Sequence, residues 1–269
     1  MAIESSAAVL RSPRGCVLKH GSVIINADDW GRSRETTDRI LDCRERGSIS
    51  SVSAMVFMKD SERAAVMARE RAIDAGLHLN FTTPFSGQSF PAMLQEHQQR
   101  IARRLRRHRF APVVFYPELI RSFEYVVSAQ FDEFARLYSE APQRLDGHHH
   151  MHLCSNVVLG RLLPAGTVVR RNTSFEAGEK SFANRLYRRI VDRFLSHRHV
   201  LTDFFFSLTP LEPTQRLDRI VFLSRHSIVE VETHPVNPEE YRFLTGDILH
   251  QINRREIAST FMASTNGHG

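Results

Sequence analysis

Short apolar runs alternate along the chain with longer stretches whose apolar positions recur at helical spacing. Residues 21–27, GSVIINA, form a run bounded by Gly21 and an acidic pair, which predicts a buried strand. Similar runs at 50–57 (SSVSAMVF) and 73–80 (IDAGLHLN), and shorter ones near 143–148, 166–170, 200–206 and 228–233, predict six more. Between them, the stretch 33–46 opens on Ser33 as an N-cap and stops before Gly47 as a C-cap, with Ile40 and Leu41 turned inward. The stretch 59–72 predicts a helix whose alanines, Val66 and Met67 face the core. Helices are also predicted near 93–109, 122–140, 180–197 and 213–224, and a loop with Gly and Pro at 81–92. Strands alternating with helices imply an α/β fold with a parallel sheet and helices outside it. Seven strands suit a closed or nearly closed (β/α) barrel better than a short open sheet. Residues 21–261 read as one domain, between a disordered leader at 1–20 and a flexible tail at 262–269.

The residues able to do chemistry fall where these strands end. Asp28 and Asp29 follow the first strand, His78 lies at the end of the third, His148 follows the fourth, Arg170 ends the fifth and His234 follows the seventh. In α/β barrels the carboxyl ends of the strands converge on one face, and active sites sit there. The adjacent acids Asp28 and Asp29 repel each other unless a cation or proton lies between them. The competing reading is an Asp cap and turn before the helix at Ser33. The segment 146–152, DGHHHMH, places four histidines in five positions, and neutral imidazole is the commonest ligand for zinc-like ions. From an extended segment only one or two of them can enter one site, because alternate side chains face opposite ways. The others, such as His150 and His152, then serve as hydrogen-bonding or packing neighbours, and Asp146 is placed to hold one ring in the right tautomer. His78, alone in an apolar strand, reads on its own as a core histidine. His234, aimed off the strand end by Pro235, suits an acid or base role. Arg170 is placed to orient an Asp or a sugar, and Asn80 and Thr82 to hydrogen-bond a substrate. Together these residues supply one Asp and two His for a divalent metal, a spare Asp for a base and a spare His for an acid. That set is complete for metal-assisted hydrolysis.

In these residues the chain resembles the YdjC-like carbohydrate deacetylases, whose members include chitooligosaccharide deacetylases and hopanoid-associated proteins. The resemblance rests on NADDWG at 26–31, GLHLN at 76–80, DGHHHMH at 146–152 and THP at 233–235, and covers roughly residues 21–250. The family usually has Phe where Trp30 stands and Gly where Val236 follows the proline. The resemblance implies an incomplete seven-stranded barrel like that of the NodB-type deacetylases. It also implies that Asp28 is the catalytic base and that Asp29, His78 and His148 hold one divalent metal ion, zinc or magnesium. The implied reaction removes an N-acetyl group from an amino sugar or a sugar-bearing, lipid-linked substrate.

Composition narrows the remainder. The 269 residues, 42% hydrophobic and 25% charged, are ordinary for a soluble globular protein. Cys16, Cys43 and Cys154 form no CxxC pair, which excludes a zinc ribbon or dithiol motif and fits a reducing compartment. No apolar run approaches the roughly 20 residues of a bilayer span, and the N-terminus lacks the pattern of a secretory signal. A cytoplasmic protein is expected. The net charge is +6, and with lysine only at 19, 59 and 180, 36 − 3 = 33 of the basic residues are arginine. Arginine suits phosphate and carboxylate binding, although genomic base composition also enriches it. Six arginines lie in 100–109. Residues 182–198 set Phe182, Leu186, Ile190 and Phe194 on one helical face, with Arg185, Arg188, Arg189 and Arg193 outside it. These stretches read as solvated faces or, functionally, as contacts with an anionic membrane or a phosphate-bearing substrate. No nucleic-acid-binding motif accompanies the charge, and the sequence leaves a homodimer open. Two rival functions are a metal-dependent phosphoesterase, which usually needs two metals, and a catalytically silent carbohydrate-binding barrel.

Overall fold

The computed structural model describes residues 21–175, 178–212 and 214–246, together with 10–11, 17–18, 258, 260 and 261. Most of the predicted leader and all of the tail lie outside these residues, as does Cys16. Leu10–Arg11 pairs antiparallel with Val17–Leu18. The main sheet has seven parallel strands: β1 Ser22–Trp30, β2 Ser51–Ala54, β3 Ala75–Leu79, β4 Arg144–Gly147, β5 Val168–Val169, β6 Phe204–Ser207 and β7 Ile228–Thr233. Their spatial order is β5-β4-β3-β2-β1-β7-β6. The sheet curls into an incomplete barrel, as the strand count predicts. Its edge strands β5 and β6 do not pair along their length. Val200, on the approach to β6, bridges Val168. The Val169 N–H donates to the Val200 carbonyl at 2.9 Å and the Ser174 N–H to the Phe205 carbonyl at 2.8 Å, so loop backbone closes the gap.

Strand alternation sorts side chains between two environments. From β1 and β7, Val23, Ile25, Ala27, Val229 and Val231 face outward into the main core under the helices. The intervening positions face inward in layers. Ile24 and Ile228 join Val168 and Phe261 in an apolar plug at the amino end. Above them the interior becomes polar, with Asn26, Asp28, Glu230 and Glu232 all buried. Arg144 reaches into this interior from β4 because position 76 on β3 is glycine. A Cβ there would lie 2.8 Å from the Arg144 Cζ.

The helices are α1 Arg34–Glu45, α2 Ser61–Glu70, α3 Ala92–Leu105, α4 Ile120–Tyr138, α5 Ser155–Leu159, α6 Phe182–Ser196, α7 Gln215–Ser224 and α8 Pro238–Thr245. Ser33 caps α1 by accepting the Thr36 N–H at 3.2 Å, and Gly47 follows the helix in the left-handed region. Helix α5 has five residues, too few to show a period, and α8 follows Thr-His-Pro with its own Asn237 cap. Sequence patterning predicts neither. One inward face is corrected. On α2 the alanines 64, 65 and 68 are buried, but Val66 is 42% exposed. On α6 the buried residues are Val191, Asp192 and Leu195, while Phe182, Leu186, Ile190 and Phe194 are exposed. The helix uses its narrower face for packing because Val158, Leu153 and Leu201 meet it there.

Candidate active site

The site begins with a bulge in β1, which runs on through both acids rather than ending before them. Ala27 pairs with Val52 and Trp30 with Ala54, so Asp28 and Asp29 together oppose one residue, Ser53. Asp29 takes φ 68°, a left-handed conformation that Asp tolerates better than most residues. In a regular strand the two carboxylates would face opposite ways. Here both approach one imidazole: His78 Nε2 lies 3.5 Å from Asp29 Oδ1 and 4.0 Å from Asp28 Oδ2. Trp30 is turned outward instead, where its indole N–H donates to the Ala64 carbonyl at 3.2 Å.

His78 projects from β3, and its Nδ1 lies 2.7 Å from Asp146 Oδ1 on the adjacent β4. A carboxylate can only accept, so that contact places the proton on Nδ1 and leaves Nε2 facing Asp29. Burial disfavours the charged ring, but the carboxylates of Asp28, Asp146 and Asp29 outweigh it and raise the His78 pKa to about 9. His148 follows β4 with Nδ1 2.9 Å from Asp29 Oδ1. Asp29 Oδ1, His78 Nε2 and His148 Nε2 are all buried without a hydrogen-bond partner. The His148 contact is close but not aligned as a hydrogen bond. One unpartnered acid oxygen flanked by His78 Nε2 and His148 Nδ1 fits a shared divalent cation. Donor atoms from these three residues lie within 4.8 Å of one another. A second trio, Asp28, His78 and Asp146, is equally compact, but its carboxylates already hold a guanidinium.

That guanidinium is Arg170, just beyond β5. It grips Asp28 in bidentate fashion, NH1 to Oδ2 at 2.6 Å and NH2 to Oδ1 at 2.7 Å. It also reaches Asp146 Oδ2 at 2.9 Å, Glu230 Oε1 at 2.7 Å and Glu232 Oε2 at 3.3 Å. Burial alone would raise the pKa of Asp28, but Arg170 and His78 reverse this and hold it well below the ordinary carboxylate range. Asp146 is lowered by the same balance. Glu230 is raised, because burial exceeds what Arg170 returns. Asn26 Nδ2 donates to Asp28 Oδ1 at 2.8 Å, and Arg32 NH1 to Asp29 Oδ2 at 2.7 Å.

The four histidines separate because His149 and His150 both adopt left-handed backbone, at φ 56° and 57°. His149 stacks over His148, and its Nδ1 lies 3.0 Å from Thr82 Oγ1. The half-exposed His150 lies against Phe205, with Nε2 3.6 Å from Glu232 Oε1. His152 is buried and donates from Nε2 to the Arg170 carbonyl at 2.9 Å. His234 follows β7. Its N–H and the Thr233 hydroxyl both donate to Glu240 Oε2 at 2.6 Å, and its ring is close enough to Asp28 to help lower that pKa.

The three expected substrate contacts, Arg170, Asn80 and Thr82, all have partners within the chain. Arg170 is 2% exposed and engages carboxylates, which agrees with the expectation that it orients an Asp. Asn80 is buried and tethers the next loop, accepting from the Thr82 and Thr83 N–H groups and donating to the Thr83 carbonyl. Thr82 is engaged with His149. Glu230, Glu232 and Arg144 were missed by sequence reasoning. The alternation of IVEVET at 228–233 carries a signal for the two glutamates, since acids at i and i+2 of an apolar strand share one face.

A parallel half-barrel whose carboxyl rim converges an Asp–His cluster beside an arginine-held carboxylate is a (β/α)-barrel protein with a centre suited to a divalent metal. The chain belongs to the YdjC-like protein family, whose profile matches residues 22–257. It is similar to the chitooligosaccharide deacetylase of Serratia marcescens, 28% identical over 132 residues, or 49% of this chain and 50% of that one. The chitooligosaccharide deacetylase of Yersinia pestis (strain Pestoides F) is 28% identical over 138 residues, 50% and 52% of the two chains. The match thus spans about half the length of these curated relatives. Among solved structures, a proposed cellobiose-phosphate cleavage protein of Enterococcus faecalis V583 superposes with TM-score 0.62 at 17% identity, covering 90% of this chain and 98% of that one. At that identity the likeness shows the fold alone.

Replacing Arg170 by Gln should destabilise the metal-free protein by about 3–5 kcal/mol at neutral pH, the usual cost of stranding a buried charge. Asp28 and Asp146 have depressed pKa values, so their stabilisation is present above the unfolded carboxylate pKa and lost as pH falls below it. The gap between wild type and variant in urea denaturation should therefore narrow below about pH 4. A gap that is small or independent of pH would show that Arg170 does not carry these charges.

Proposed function

We propose that this protein is a metal-dependent hydrolase that removes an N-acetyl group from an amino sugar. The observation that carries the reading is the set of three buried, unpartnered donors from Asp29, His78 and His148 beside the arginine-held Asp28. The names of the relatives give the acyl group and the sugar class. Two imidazoles and one carboxylate favour zinc over magnesium, since magnesium prefers oxygen ligands. The bound metal would polarise the acetamide carbonyl and acidify the attacking water.

The rest of the chemistry falls to the protein. Asp28 is ionised at neutral pH, with its oxygens fixed by Arg170 and Asn26, and takes the proton of the attacking water. His234, just beyond the adjacent strand β7, donates a proton to the leaving amine nitrogen, without which the C–N bond does not break. Glu240 fixes the His234 backbone and so the place from which the ring acts. A two-metal phosphoesterase fits less well, because Arg170 occupies the carboxylates of the second trio.

Replacing His78 by Ala should remove most of the bound metal, measured by elemental analysis of the purified protein. Retention of a full equivalent would refute the ligand set. Asp28→Asn should keep the metal yet slow deacetylation of short chitooligosaccharides by about 10²–10⁴-fold, the range for loss of a general base. Near wild-type turnover would make Asp28 structural.

We also propose that α6 touches an anionic membrane surface. No helix among the described residues is long and apolar enough to cross a membrane. Phe182, Leu186, Ile190 and Phe194 are exposed along one side of α6, and Arg189 and Arg193 are exposed with them. An exposed face that pairs apolar and cationic residues suits the boundary of an anionic bilayer. The protein should cosediment with phosphatidylglycerol vesicles at low salt, and R189E/R193E should abolish this. A salt-independent dimer that buries the stripe would assign the face to a second copy instead.

A further inference from the structure

Beside the exposed stripe of α6, and sharing Arg189 with it, lies a second group of arginines that is away from the metal centre. A cavity of about 220 Å³ opens between α6, α7, β6 and the loop after β5. Its walls carry Arg171, Arg185, Arg188, Arg189 and Arg219, and among the described residues Asp192 and Asp203 are its acids. The formal balance is 5 − 2 = +3. We infer that this cleft is a binding site for a phosphate-class anion.

The acids do not satisfy the cleft. Asp192 Oδ2 accepts from Arg171 NH2 at 3.0 Å, and Oδ1 accepts from the Asn172 backbone at 2.9 Å and its side chain at 2.8 Å. Asp203 Oδ2 accepts the Ile228 N–H at 2.8 Å. Two other arginines are left with little or nothing. The Arg185 Nε is buried without any hydrogen-bond partner. Arg188 reaches only neutral oxygens, Asn184 Oδ1 at 2.9 Å and Asn172 Oδ1 at 3.5 Å, and stacks its guanidinium over Phe175 at 5.0 Å. Burial lowers its pKa, and Asp192 offsets this only in part. Both are the signature of a cation whose counter-charge comes from outside the chain. Ser174 adds a neutral donor: its Oγ accepts the Phe205 N–H at 3.1 Å and keeps its own proton to give.

A carboxylate would be satisfied by one guanidinium fork, whereas a tetrahedral phosphate offers oxygens to several at once. The cleft is distinct from the metal centre. Arg170 and Phe205 face into the barrel, while their neighbours Arg171 and Phe204 line the cleft outside it. The inference therefore stands apart from the deacetylation proposed above. A soluble phosphomonoester and a lipid headgroup present the same phosphate chemistry, and α6 also bears the exposed stripe, so the experiment has an arm for each.

Calorimetric titration of the intact protein with inorganic phosphate, at ionic strength held constant with chloride, should give saturable binding. R185Q/R188Q should weaken it by about tenfold or more, while R185K/R188K keeps part of it, with thermal unfolding and metal content confirming that both variants fold. Glycerol phosphate that binds without recruitment to phosphatidylglycerol vesicles marks a soluble ligand. Vesicle binding that glycerol phosphate competes away marks a lipid headgroup. No saturable phosphate binding, or equal binding by wild type and R185Q/R188Q, overturns the inference.

Discussion

The carboxyl end of this barrel confines Asp28, Asp146, Glu230 and Glu232 around a single guanidinium. Ionised carboxylates this deep are tolerated only when paired and hydrogen-bonded, and Arg170 supplies both to groups arriving from three strands. The remaining geometry follows from that pairing. With Asp28 and Asp146 tied to Arg170, Asp146 still has an oxygen for His78 Nδ1, which turns His78 Nε2 toward Asp29. Asp29, outside the reach of Arg170, is left with one oxygen open beside two imidazoles. The guanidinium thus divides two adjacent acids into different roles: one carboxylate held ionised and still, and one free to take a metal.

Sharing a site between chain neighbours needs backbone that breaks the strand period. The bulge at Asp29 does this for the acids, and left-handed residues 149 and 150 do it for the histidines. Such conformations cost on the order of 1–3 kcal/mol each when the side chain is not glycine. They persist where surrounding contacts over-determine them, as the Asp29–Arg32 pair and the His149–Thr82 contact do here. Strained backbone recurs wherever this chain changes a side chain's aim at the rim.

The architecture was legible because its signals are periodic. Each apolar run became a strand within a few residues, and Ser33 and Gly47 bound α1 as their cap chemistry requires. The placement of Asp28, Asp29, His78 and His148 at strand ends was legible for the same reason. What was not legible depends on contacts distant in sequence. The contact of Thr82 with His149 bridges loops that no local pattern joins. Nothing local in the sequence announces that Arg170 meets acids from β1, β4 and β7, or that Gly76 is needed to admit Arg144. For α6, the period correctly separated an apolar face from a cationic one. It could not tell which face met the core, because the helix packs on a short patch around Val191 and Leu195.

The seam between β5 and β6 is where inner and outer chemistry come closest. Elsewhere the wall is a continuous ladder, but here it is held by the Val168–Val200 bridge and the reciprocal bonds of Ser174 with Phe205. Alternation across so thin a wall gives consecutive residues opposite duties. Arg170 turns in to neutralise the buried carboxylates, and Arg171 turns out to pair with Asp192 on α6. Phe205 lies against Arg170 and His150 inside, while Phe204 lines the arginine cleft outside. A load placed on the cleft would therefore bear directly on the backbone that positions Arg170. The two basic residues are neighbours because a half-open barrel has one seam at which an internal site and an external one can share the same strands.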